Sequence, residues 1–461
     1  MKEMEVKAAF QENKMGVMPV NKLLLGMSLP MMASMLVQSL YNIVDSIFVA
    51  ELSEDALAAV SLAFPMQVLS IAVGGGTCVG INAVLSKALG EKNQDEVNKA
   101  ATNGIFLMAL SSVLFLLIGL FLVKPFYYMQ KTESAAITEY GIEYLTIVCC
   151  CTFGVFMQVT FERLLQSTGK TMLSMITQAT GAVINLILDP ILIFGLLGFP
   201  KLGVAGAAIA TVIGQVVAAC LAIFLNQKFN KEIHVSFKGF RPDGKTIAKI
   251  YSVGIPSIIM QAIGSVMNYA MNQILLSFTD TAATVFGVYY KLQSFFFMPV
   301  FGLNNGLVPI IAYNFGAGKR SRMIKAIKLG IIYAEVIFLA GMLCFIFIPE
   351  QLLMIFKAQG ELLEIGQTAL RIISLHFPIA AYCIIISSSF QALGHGRYSM
   401  WVSIARQLAV LLPAAYLLSL TGKLSMVWWA FPIAEGASML MCTIFLVIVY
   451  KTTIKNIPDN L

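Results

Sequence analysis

The chain has 461 residues, of which 58% are apolar and only 12% charged, half the ~25% of an ordinary globular domain. That balance excludes a soluble protein of this size, and apolar runs of twenty residues and more exclude a β-barrel, whose strands alternate every second residue. The net charge of +7 lies in short loops between apolar runs, which points to the inner surface of a membrane and away from nucleic acid.

Residues 1–20 are polar and lack the layout of a cleaved signal peptide, so they read as a cytoplasmic N-terminal segment. Runs long enough to span a bilayer follow at 21–49, 56–88, 98–123, 138–165, 171–197 and 204–226. A polar linker, 227–249, separates them from six more at 250–278, 282–314, 323–348, 361–391, 400–420 and 427–450. A short tail, 451–461, ends the chain. With the N-terminus placed inside, the inner segments hold 22 Lys and Arg and the outer loops hold 5: Lys124, Lys131, Lys201, Lys357 and Lys423. That asymmetry supports twelve helices with both termini cytoplasmic. All eight cysteines fall inside apolar runs and no CxxC pair occurs, so no disulfide and no metal site is expected.

The sequence matches itself under a shift of 226 residues. Pro30 meets Pro256, Asn42 meets Asn268, Gln67 meets Gln293, and Gly76 and Gly80 meet Gly302 and Gly306. Slightly smaller shifts carry the match onward, pairing Gly169 with Gly394 and Gly214 with Gly436. This is an internal repeat of six helices. Six is even, so the copies enter the membrane the same way round, as parallel repeats. The expected architecture is all-α and integral to the membrane, with a six-helix lobe at 21–226 and another at 250–450. Two such bundles side by side leave a cleft, the arrangement secondary transporters use for alternating access.

Enzymatic and ATP-driven readings find no support in the motifs. Gly169-Lys170-Thr171 lacks the phosphate-loop glycine, its place being taken by Leu164. His234, His376 and His395 show no ligand spacing with Cys or acids. No cofactor is expected. What remains is a small set of ionisable residues inside the spans, which are costly in lipid and mark pathways or proton relays. They are Asp45, Glu162, Arg163, Asp189, Lys291, Glu335, Arg371, Arg406 and Glu435.

Gln38, Tyr41, Asn42 and Asp45 recur at i, i+3, i+4 and i+7, one polar stripe on an apolar helix. Asn185 and Asp189 share a face one turn apart, and Pro190 frees the Leu186 carbonyl. A carboxylate, an amide oxygen and a free carbonyl suit a proton or Na⁺. Both acids fall in the outer halves of their helices. If they share one low-dielectric site they cannot both ionise cheaply, which favours a bound proton. The second repeat has Met271 at the place of Asp45 and Leu412 near that of Asp189, so ion coupling is expected in the first repeat alone. Glu162 reads either as half of an ion pair with Arg163 or as a cavity acid. Arg371, Arg406 and Glu435 read as internal ties. Asn268, Asn272 and Gln293 offer polar lining for the second half of the cleft.

Four segments together resemble the multidrug and toxic compound extrusion (MATE) family over nearly the whole chain. They are Pro30 with Asp45; Asn185-x-x-x-Asp189-Pro190; Gly203-Val-Ala-Gly-Ala-Ala with Thr211; and Gln166-x-x-Gly169-Lys170. The resemblance implies a V-shaped exporter of the bacterial cytoplasmic membrane, exchanging lipophilic cations for H⁺ or Na⁺. It implies a coupling site of Asp45, Asn185, Asp189, Tyr41 and Thr211, with Pro30 as a hinge. From the residues themselves, Gln38, Asn42, Glu162, Asn268, Asn272 and Gln293 are the candidates for lining the substrate cleft, and a monomer is expected. A lipid-linked saccharide flippase or a narrow metabolite exporter of the same superfamily is the alternative.

Overall fold

The computed structural model describes residues 12–130 and 134–459. Expectations that fall on 1–11, 131–133 and 460–461, including those on Lys2, Lys7 and Lys131, lie outside the described residues. Among the described residues the chain is all helix with no strand. Eleven helices are long and apolar enough to cross a membrane, and one bent pair makes a twelfth.

In chain order these are α1 (Val20–Leu52), α2 (Phe64–Gly90), α3 (Gln94–Phe121), α4 (Ala135–Cys150 and Thr152–Ser167), α5 (Thr171–Phe194) and α6 (Gly203–Phe229). Then come α7 (Gly244–Leu276), α8 (Asp280–Gly316), α9 (Arg320–Phe347), α10 (Glu361–Ala392), α11 (Gly396–Ser419) and α12 (Ala430–Thr452).

Local chemistry sets several boundaries. Ser53 Oγ accepts from the Ala56 N–H at 3.0 Å, and its repeat-mate Thr279 Oγ1 accepts from Ala282 at 3.3 Å, so both copies begin the next helix on a capped turn. The first copy then breaks at Ala63, giving a short helix Glu54–Leu62 before α2, while α8 runs unbroken. Pro65 explains the difference: it has no N–H to give the Ser61 carbonyl, and its repeat-mate is Lys291. Helix α7 starts at Gly244, six residues earlier than its apolar run, because Asp243 caps it. Its carboxylate accepts from the Lys245 N–H at 3.1 Å and the Thr246 hydroxyl at 2.8 Å. Helix α4 bends by 44° at Cys151, and α10 is interrupted by a 3₁₀ turn, Ser374–His376.

The described residues form two compact units. One comprises 33–85 and 95–258; the other comprises 12–32, 86–94 and 259–459. The chain passes between the units at 32/33 in α1, 85/86 in α2, 94/95 in α3 and 258/259 in α7. The crossings in α1 and α7 lie just beyond Pro30 and Pro256 and are 226 residues apart.

In the unit that holds Asp45, the core gathers Val49, Ala56, Tyr127, Tyr144, Leu145 and Ile193. The Tyr127 hydroxyl donates to the Ala59 carbonyl at 2.8 Å. Gly76 of α2 lies so close to Ile258 of α7 that a Cβ there would come 2.7 Å from the Ile258 nitrogen. In the other unit the core is aromatic, built from Phe286, Tyr289, Phe297, Phe338, Phe345 and Phe377. There Gly302 of α8 meets Met32 of α1, and a Cβ would come 2.6 Å from the Met32 nitrogen. The two contacts are the same contact under the 226-residue shift. Gly90 against Tyr313 and Gly316 against Lys87 repeat the pattern. Close approach of backbones at small residues is the usual way membrane helices pack.

Candidate functional site

The site residues from the first repeat all lie in the unit comprising 33–85 and 95–258, apart from Pro30. Its frame is the α5–α6 pair. Gly181 and Gly214 face each other, and a Cβ on Gly214 would sit 2.7 Å from the Gly181 carbonyl oxygen and 3.3 Å from Asn185 Cβ. Gly206 lies equally close to the Leu192 carbonyl, at 2.6 Å. The seam brings Asn185 of α5 against Thr211 of α6. Asn185 Nδ2 donates to Thr211 Oγ1 at 3.2 Å and to Asp189 Oδ1 at 3.1 Å. Asp189 and Asn185 are buried, and α5 continues through Pro190 to Phe194.

Helix α1 supplies Asp45, whose carboxyl group lies within hydrogen-bonding reach of that of Asp189. Such a contact needs a proton or a cation between the two acids. Among the described residues Asp45 Oδ1, Asp189 Oδ2 and Asn185 Oδ1 are buried without a hydrogen-bond partner. Each orphaned oxygen costs about 1–3 kcal/mol unless a ligand satisfies it. Tyr41, one turn before Asp45, is close enough to interact electrostatically with both acids. So is Tyr144 of α4, a residue that belongs to none of the motifs singled out above. Its hydroxyl accepts from Gln67 Nε2 of α2 at 2.9 Å, which leaves its own proton free to donate. In the sequence Gln67 stands out only as the repeat-mate of Gln293.

The other candidates distribute differently. Gln38 and Asn42 are exposed on α1, and the Asn42 carbonyl accepts from Ser46 at 2.9 Å. Pro30 is buried within a continuous α1. Glu162 is buried in a separate cluster of neutral donors. Its carboxylate accepts from Gln158 Nε2 at 3.0 Å, Thr177 Oγ1 at 3.1 Å and Gln178 Nε2 at 2.7 Å. Gln178 Oε1 in turn accepts from the Ser34 hydroxyl of α1. Arg163 donates to Gln166 at 2.8 Å.

Asn268, Asn272 and Gln293 are half-buried and belong to the other unit. Of the three expected ties, Arg406 and Glu435 do pair, at 3.2 Å. Arg371 is exposed and donates to the Ile346 carbonyl. His376, which shows no ligand spacing in the sequence, faces Glu435 at 3.9 Å across 59 residues of chain. Among the described residues no group of three or more His, Cys, Asp and Glu is placed to hold a metal ion.

Comparison with known proteins bears on the fold and the family. The MatE family model matches residues 30–191 and again 256–417, one match in each repeat. Multidrug export protein MepA of Staphylococcus aureus (strain MSSA476) is 28% identical over 429 residues, covering 92% of each chain. MepA of Staphylococcus haemolyticus (strain JCSC1435) is 28% identical over 418 residues, covering 90% of each. Among solved structures, the crystal structure of MATE in the straight conformation superposes with a TM-score of 0.89 at 24% identity, covering 96% of this chain and 100% of that one. An outward-facing multidrug resistance MATE transporter of the MOP superfamily gives 0.88 at 22% identity, covering 96% and 99%. These superpositions establish the fold, and the family match in both repeats establishes the kinship: the chain belongs to the MatE family of membrane transporters.

Proposed function

We propose that this chain is a secondary active antiporter of the bacterial cytoplasmic membrane. It exports lipophilic, often cationic compounds by alternating access in exchange for H⁺ or Na⁺. Its curated relatives are named multidrug export proteins, which supports this substrate class. The coupling ion is assigned to Asp45, Asp189, Asn185 and Thr211, with Tyr41 beside them. The observation that carries the assignment is the facing pair of carboxyl groups with three orphaned oxygens on Asp45, Asp189 and Asn185. A proton closes the gap between the carboxyl groups. Na⁺ finds the hard oxygen donors it prefers.

The energetics limit the exchange. Moving one charge across about 150 mV is worth about 3.5 kcal/mol. Exchanging one H⁺ for one monovalent cation moves no net charge, so only the pH gradient drives it, at ~1.4 kcal/mol per unit. A second ion per cycle would recover the potential.

The flippase alternative needs basic groups free to hold a pyrophosphate. Arg406 is neutralised by Glu435, Arg371 is bonded to a backbone carbonyl, and the exposed Lys291 ammonium lies over the Phe356 ring. Antiport is therefore the better reading.

The test is ethidium export from proteoliposomes under an imposed pH gradient or an imposed Na⁺ gradient. Export that follows one gradient supports antiport and names the ion. Export under neither, with folded protein confirmed, overturns it.

A further inference from the structure

Three membrane-crossing helices end together in the unit comprising 12–32, 86–94 and 259–459. Helix α2 finishes at Gly90, α8 at Gly316 and α12 at Thr452. The end of α8 is pressed on the last turn of α2, where a Cβ on Gly316 would sit 2.1 Å from the Lys87 carbonyl oxygen. Between the turn at 315–318 and the tail at 452–458 lies an open cavity of about 440 Å³. Spanning helices end where hydrocarbon gives way to headgroups, so the cavity lies at headgroup level.

The tail is a built wall. Ile454 and Ile457 are buried beneath it. Arg320 Nη1 donates to the Lys455 carbonyl at 3.1 Å, and the Ser321 N–H donates to Asp459 Oδ1 at 2.9 Å. These bonds fix the tail on the start of α9. They also occupy Asp459, the one acidic side chain of the tail.

Cations gather around the cavity. The Lys87 ammonium lies 4.8 Å over the ring of Phe315, a wall residue. Thr453 Oγ1, on the opposite wall, is 3.0 Å from His395 Nε2. Burial first, then the Arg397 guanidinium and the Lys87 ammonium, hold the His395 ring below its ordinary value, so both cations stand close to it. Lys451 and Lys455 are exposed and bracket Thr452 and Thr453 in the chain. The acid beside Lys87 is Glu91, 3.7 Å away, and both side chains are about two-fifths exposed, which makes a weak pair.

The lining is mixed. Phe315, Ile457 and Pro458 are apolar, while Thr452, Thr453 and Asn456 are polar. A cationic rim repels a lipophilic cation, and a free inorganic anion has no use for the apolar wall. An amphiphile with a negative phosphate matches both. Basic pockets at helix ends are where anionic headgroups bind.

We propose that this cavity binds the phosphate headgroup of an anionic phospholipid, with Lys87 and Arg397 as its cations and the tail as one wall. The site is separate from Asp45 and Asp189, and it stands whether or not the antiport reading holds.

The experiment is native mass spectrometry of the full-length protein in detergent, titrated with phosphatidylglycerol or with phosphatidylcholine of the same acyl chains. The expected result is one phosphatidylglycerol held at least about tenfold more tightly than phosphatidylcholine. Lys87→Gln and Arg397→Gln should each weaken it roughly fivefold. Ala317→Leu fills the cavity without changing charge and should weaken it as well. Lys325→Gln with Lys328→Gln removes two exposed cations of α9 that do not line the cavity, and should leave the affinity as in the parent. Equal affinity for the two lipids overturns the proposal. So does an equal loss in the α9 variant, which would mean general surface charge, or an unchanged affinity in Ala317→Leu. Displacement of the lipid by millimolar inorganic phosphate overturns it in favour of a free-anion site.

Discussion

Asn185 and Thr211 meet across the α5–α6 seam, the amide donating to the hydroxyl oxygen at 3.2 Å while it also holds Asp189 at 3.1 Å. One amide thus ties a carboxylate of one helix to a side-chain hydroxyl of the next. Thr211→Val keeps the shape and removes the acceptor. The loss of one hydrogen bond, about 0.5–1.5 kcal/mol, predicts coupling-ion affinity reduced up to about tenfold with the fold intact. The ion dependence of ethidium transport measures this.

The repeated glycine contact gives a stability prediction. Gly76→Ala and Gly302→Ala each drive a Cβ into backbone, at Ile258 and at Met32, so both should destabilise by roughly 1–3 kcal/mol. Gly287, on the exposed face of α8 with nothing within 4 Å of its Cβ position, is the control. Gly287→Ala should stabilise by up to about 1 kcal/mol. Thermal unfolding of the purified variants separates the three.

That pairing of contacts is legible in the amino-acid sequence alone, because glycines spaced alike in two repeats must meet alike surroundings. Asn185 and Asp189 are legible for a simpler reason: i and i+4 share a helix face. Tyr144 is not, since it reaches the site from a bent helix 99 positions after Asp45 and carries no motif of its own. The closeness of His376 to Glu435 is hidden because helix packing, not sequence spacing, joins α10 to α12. Hydropathy also places the start of α7 too late. It sees the apolar run, while the helix begins at the Asp243 cap inside a polar stretch.

Glu162 offers a prediction of a different kind. The three groups that donate to its carboxylate are all neutral, so the site is built for an acceptor. Glu162→Gln puts a further amide donor among them and leaves one donor unmet. The expected cost is about 1–3 kcal/mol, seen as a lower melting temperature or, if the helices adjust, as slower transport. Export at the parental rate from a protein of unchanged stability would remove Glu162 from the account.

The Asp243 cap predicts a pH dependence. Its carboxyl is held below the usual carboxylate range, first by the Thr246 hydroxyl, then by the Lys245 N–H and the nearby lysines. A depressed carboxylate contributes stability above its unfolded value, about 3.9, and loses that contribution as the pH falls through the folded value. Asp243→Ala should therefore melt lower than the parent at neutral pH and converge with it in acid. Paired thermal melts from neutral pH down into acid check the convergence.

The central claim is that Asp45 and Asp189 carry the coupling ion, and ethidium export by Asp45→Asn and Asp189→Asn tests it most directly. Each variant is reconstituted beside the parent under whichever gradient drives the parent. The account predicts that gradient-driven export is lost in both, while ethidium still binds. Export by Asp45→Asn at the parental rate under that gradient would contradict it.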